Sequence, residues 1–87
     1  MLSSELIQQF HKFSEKGKPY DIVDARISNY IIEKNSLMII SGIPFYYAGG
    51  VYREDEGGIM IKTLIRNCMI EELQTAPRIE RVYRLLI

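Results

Sequence analysis

The chain has 87 residues, 47% hydrophobic and 25% charged, which suits one folded domain with a modest core and excludes a disordered segment. Eleven basic residues balance eleven acidic ones, so no overall field draws the chain to nucleic acid or to a membrane surface. Cys68 has no partner for an internal disulfide and, with only His11 beside it in ligand type, makes a poor zinc set.

Met1 to Glu5 lacks the basic region and apolar core of a signal peptide, and no apolar run approaches the roughly 20 residues needed to span a bilayer. A cytoplasmic protein with no membrane contact is expected. Ser3 or Ser4 can cap a first helix, with Leu6, Phe10 and Phe13 at helical spacing and His11 on its polar, solvated side. Lys16-Gly17-Lys18-Pro19 ends it. Asp21 is a natural cap for a second helix, Asp24 adds charge to its first turn, and Val23, Ile27, Tyr30 and Ile31 form its core stripe.

Leu37-Met38-Ile39-Ile40 predicts a strand, closed by Ser41-Gly42. Phe45-Tyr46-Tyr47-Ala48-Gly49-Gly50-Val51-Tyr52-Arg53 predicts a hairpin, because a two-residue type I′ turn needs positive φ at both central positions. The register pairs Ala48 with Val51, Tyr47 with Tyr52 and Tyr46 with Arg53. A domain this small needs its aromatics for burial, so Phe45, Tyr47 and Tyr52 are expected inside, beside Ile27, Ile31, Leu64, Ile65 and Val82. Tyr46 and Arg53 are then the exposed pair. Glu54 to Gly58 reads as an exposed acidic connection without the ligand spacing of a calcium loop.

A third helix is expected from about Ile59 to Leu73, burying Ile61, Leu64, Ile65 and Cys68. Thr75 can cap a fourth and Pro77 suits its first turn, with Ile79, Val82, Tyr83 and Leu86 as the stripe. The chain stops on Leu85-Leu86-Ile87 without a helix stop signal, which suggests a fragment of a longer polypeptide. The fold class is α+β: about four helices packed on a small antiparallel sheet that contains the Gly-Gly aromatic hairpin.

No phosphate loop, dinucleotide fingerprint, nucleophile–base pair or cofactor motif is present in the sequence. Glu71 and Glu72 are adjacent and point apart on a helix, so they are no acid/base pair. The expectation is a domain without catalysis, cofactor or metal. Two binding features remain. Arg78, Arg81 and Arg84, helped by Arg66, form a drifting basic strip of the kind that neutralises phosphates, although a solvated helix face explains it as well. Val82, Leu85, Leu86 and Ile87 form an apolar end that can dock a partner or a following domain. Tyr46, Tyr47 and Tyr52 have the chemistry of a base-stacking platform, set against their use in packing.

Asp21-Ile22-Val23-Asp24 through Ile31, Phe45-x-Tyr47-x-x-Gly50-Val51-Tyr52, Ile61-x-x-Leu64-Ile65 and Arg78-Ile79-x-x-Val82-Tyr83 lie in a chain order that carries a resemblance. From Tyr20 to Ile87 the chain resembles the small domain that precedes the superfamily-three helicase in D-five-like primase-helicases of phages, plasmids and poxviruses. The resemblance implies a non-catalytic accessory domain in DNA replication, docked to neighbouring primase and helicase domains of the same polypeptide and contacting DNA. The alternative is a free-standing small phage or bacterial protein-interaction module.

Overall fold

The computed structural model describes residues 3–87 and is α+β, with four α-helices and two small antiparallel sheets. Helix α1 (Ser4–Phe10) begins where the Ser3 hydroxyl accepts the Leu6 N–H at 3.2 Å. It ends before Phe13. Instead of continuing the helix, His11–Phe13 form strand β1, paired antiparallel with β2 (Pro19–Ile22). Phe13 is consequently exposed, and Asp21 lies in a strand opposite Lys12 instead of capping a helix.

The reason for the early stop lies in His11, which is buried and not solvated as expected. Its Nδ1–H donates to the Ile7 carbonyl at 2.7 Å, and its Nε2 accepts the Ile70 N–H at 3.1 Å. A backbone N–H can only donate, so the neutral imidazole carries its proton on Nδ1. One side chain thereby satisfies the end of α1 and ties it to a segment 59 positions away.

Helix α2 (Asp24–Lys34) has Val23 at its N-cap position and Asp24 in its first turn. Ile27 and Ile31 are fully buried; Tyr30 meets Phe10 edge-to-face at 5.0 Å. Helix α3 (Ile59–Arg66) is shorter than its sequence pattern suggests. After Arg66 the N–H groups of Cys68 and Met69 bond carbonyls three residues back, tightening the end. Gln74 Nε2 then donates to the Arg66 and Met69 carbonyls at 3.1 and 2.9 Å. A 3-10 turn at Glu71–Leu73 leads into α4 (Ala76–Leu86), whose N-cap residue is Thr75. The Thr75 hydroxyl caps no backbone N–H; it accepts from Arg78 Nη1 at 3.3 Å.

These helices and Ile22 of β2 enclose the core: Phe10, Ile22, Ile27, Ile31, Ile61, Ile65, Cys68, Met69, Leu73, Val82 and Leu86. The second sheet, β3 (Leu37–Ile40), β4 (Ile43–Ala48) and β5 (Val51–Glu54), has the order β3-β4-β5. Its hairpin register is the expected one, with Tyr46 opposite Arg53, Tyr47 opposite Tyr52 and Ala48 opposite Val51. Gly49 and Gly50 have φ of 61° and 84°, the left-handed values that this turn requires.

The sheet does not lie under the helices. Only Leu37 packs against the core cluster, and no residue of β4 or β5 belongs to it. The molecule extends 46 Å along its longest axis and 23 and 18 Å along the others. Its radius of gyration of 13.6 Å exceeds the roughly 12 Å of a compact chain of this length. The three strands form a projecting arm.

Candidate interaction surface

Alternation along the strands and the cross-strand register assign the side chains of the arm to two faces. Leu37 is half-buried and packs against the core, so its face, with Pro44 and Tyr46, turns inward; Pro44 is buried and Tyr46 half-buried. The other face carries Ile40 and Ile43 at one end, Met38 and Phe45 in the middle, and Tyr47 and Tyr52 at the far end. Tyr47 and Tyr52 are 52% and 46% exposed, and Ile40 and Ile43 are 50% and 44% exposed.

The expected burial of Tyr47 and Tyr52 is therefore overturned, and Phe45 is only half-buried. The register is right and the face is inverted. Cross-strand partners share a face, so once Leu37 is drawn into the core Tyr46 must follow it, and Tyr47 must point away. Tyr47 and Tyr52 meet each other instead, edge-to-face with ring centroids 5.2 Å apart. Each ring shields part of its neighbour and leaves its outer surface to solvent. Six apolar side chains thus form one face on which Glu54, at the margin opposite Phe45, is the sole charge.

The basic strip of α4 is placed differently from a phosphate-binding row. Arg78 Nε donates to Asp21 Oδ1 at 3.1 Å and its Nη2 to the Tyr20 carbonyl at 3.3 Å. Arg81 binds Asp21 at 3.0 Å and both oxygens of Asp24 at 3.0 and 2.9 Å. These pairs fasten α4 to β2 and to the start of α2. Arg66, in the last turn of α3, and Arg84, in the last turn of α4, are exposed. Of the apolar set at the end of α4, Val82 and Leu86 are taken up by the core, which leaves Leu85 and Ile87 exposed.

Asp21 shows what the arginines do. Partial desolvation acts to raise its pKa, but the Ile22 N–H and the guanidinium groups of Arg81 and Arg78 outweigh that and hold it at about 2. The same carboxylates raise the pKa of Arg81. A depressed carboxylate pKa contributes stability above its unfolded value near 4 and loses it as pH falls toward 2. The Asp21 side chain is 26% exposed, so solvent screening reduces the effect to about 1–2 kcal/mol. Asp21→Asn should be destabilised by that amount at pH 7 and match the parent closely at pH 2, as read by urea unfolding at the two pH values.

Cys68 packs in the core, where burial pushes its thiol up to about 11. Among the described residues no group of three His, Cys, Asp or Glu side chains could hold a metal ion. No described helix is long and apolar enough to cross a membrane. Comparison of the chain with protein-family models, with curated proteins and with solved structures finds no significant match in any of the three.

Proposed function

We propose that this chain is a non-catalytic docking domain that binds protein through the outer face of the β3–β5 arm. The supporting observation is that face itself: four large apolar side chains, each about half exposed, on a sheet that adds one side chain to the core. Contiguous apolar surface of this kind on a small domain is characteristic of interaction sites. Folding stability does not explain it, because the core closes without it.

The resemblance to the pre-helicase domain of primase-helicases supplies the setting: an accessory domain in cytoplasmic DNA replication that docks neighbouring primase and helicase domains. DNA contact in that setting falls to Arg66 and Arg84, since Arg78 and Arg81 already hold Asp21 and Asp24. The test is a variant with Ile43→Ser and Tyr47→Ser, titrated calorimetrically against purified primase and superfamily-three helicase domains. The expected result is a folded variant, by circular dichroism, that has lost binding seen with the parent. A variant that unfolds sinks the docking reading, because the face is then structural. A parent that binds neither domain removes the replication setting.

A further inference from the structure

We infer that His11 is a proton-operated latch: in its neutral form it ties the α1–β1 corner to the segment after α3, and on taking up a proton it lets that segment go. The latch lies in the helical body and is independent of the outer face of the arm.

His11 is 4% exposed; its Nδ1–H donates to the Ile7 carbonyl at 2.7 Å, and its Nε2 accepts the Ile70 N–H at 3.1 Å. Only a ring with no proton on Nε2 can accept there. A protonated ring carries N–H on both nitrogens, so Nε2–H and the Ile70 N–H become two donors aimed at each other. The peptide is held from turning its carbonyl toward the ring, because that Met69 carbonyl accepts Gln74 Nε2 at 2.9 Å. The proton therefore removes one bond and leaves two donors shut away from water, a cost that separating the two segments relieves. Phe10 and Met69, the core residues next to His11 and Ile70 in the chain, are 2% and 3% exposed, so release lays apolar surface open.

An open cleft lined by Glu5, Gln8, Gln9, Val23 and Arg26 reaches the ring, so water delivers the proton without prior unfolding. Glu5 of α1 and Arg26 of α2 are the charged groups on that cleft, and their opposite signs leave no net charge to draw or repel the proton. On β2, Asp21 is engaged by Arg78 and Arg81. After α3, Cys68 is a neutral thiol, and Glu71 and Glu72 are exposed, as is Lys12 on β1. Among the described residues none of these side chains hydrogen-bonds the ring. The Ile70 contact thus sets the response.

A free imidazole takes its proton at about pH 6.5. A fold that accepts only the neutral ring is fully latched above that value, and its closed-to-open ratio falls about tenfold for each pH unit below it. The Asp21 pairs act in a separate window, below about pH 4.

Amide hydrogen exchange of the full chain, expressed as protection factors, tests the latch. The Ile70 N–H should lose protection about 100-fold between about pH 7.5 and about pH 4.5. His11 is the only histidine, so its ring nitrogen signals are unambiguous, and in the closed form they should keep the neutral Nδ1–H pattern throughout. A ring that becomes imidazolium while Ile70 stays protected overturns the latch, and so does protection that does not fall. His11→Gln offers Ile70 an amide oxygen but takes no proton, so its protection should change less than about threefold. A fall as large as the parent's would assign the effect to carboxylates and overturn the latch. If this variant does not fold, the parent's ring signals decide.

Discussion

Gly58→Ala should destabilise the domain by about 2–4 kcal/mol, the largest effect expected of any single methyl group added to this chain. Two costs add. Gly58 has φ of 69°, a left-handed conformation in which an alanine is strained. A Cβ there would also collide with the Tyr83 ring, meeting its hydroxyl and coming within 2.6 Å of its Cε1. Tyr83 packs against the core and carries Lys62 Nζ 4.8 Å from its ring centroid, so moving the ring gives up contacts on both sides. The two costs can be separated. In a Tyr83→Ala background the collision vanishes and the same substitution should cost only about 1 kcal/mol, the backbone share. Urea unfolding of the parent, the two single variants and the double variant measures both, and equal costs in the two backgrounds would show that the ring is not involved.

Asp55→Ala should cost about 2–3 kcal/mol. Asp55 is buried, and its two carboxylate oxygens accept the N–H groups of Met60 and Ile61, each at 2.9 Å. Those are orphan donors in the first turn of α3, where the helix dipole also favours an anion. The main chain bends to make this reach possible: the Gly58 N–H bonds the Asp55 carbonyl, and Gly57 and Gly58 both adopt positive φ. Asp55→Asn keeps one acceptor oxygen and should lose about half as much. Equal losses for the two variants in urea unfolding would show that the one hydrogen bond Asn keeps contributes nothing.

Both residues belong to a stretch whose composition reads as an exposed acidic connection. Asp55 stands among Glu54 and Glu56, and only its distance from the first turn of α3, across two glycines, distinguishes it. The hairpin turn was legible because Gly-Gly between β-formers has few other uses. The face it presents was not, because alternation fixes which side chains lie together without saying which side meets the core. The deciding residue is Leu37, three positions after the end of α2, whose parity runs through the cross-strand pairs to Tyr46. β1 stayed hidden because Phe10 and Phe13 fit a helical stripe, and the contact that breaks it comes from Ile70, beyond the range of local spacing. For the arginines, spacing places Arg78 and Arg81 on one helix face correctly. It cannot show that Asp21 and Asp24 stand opposite them.

The Tyr47 N–H bonds the Ser36 carbonyl and the Asp55 N–H bonds the Pro44 carbonyl, so the chain enters the three-stranded sheet at one end of β4 and leaves it at the other. Between Met38 and Arg53 only Pro44 is buried, so substitutions at the exposed positions of this segment should cost little folding free energy, whereas the buried stripes of the helices tolerate few. Sequence change can collect at the exposed positions of one short segment, with Leu37 and Asp55 as the fixed boundary stones.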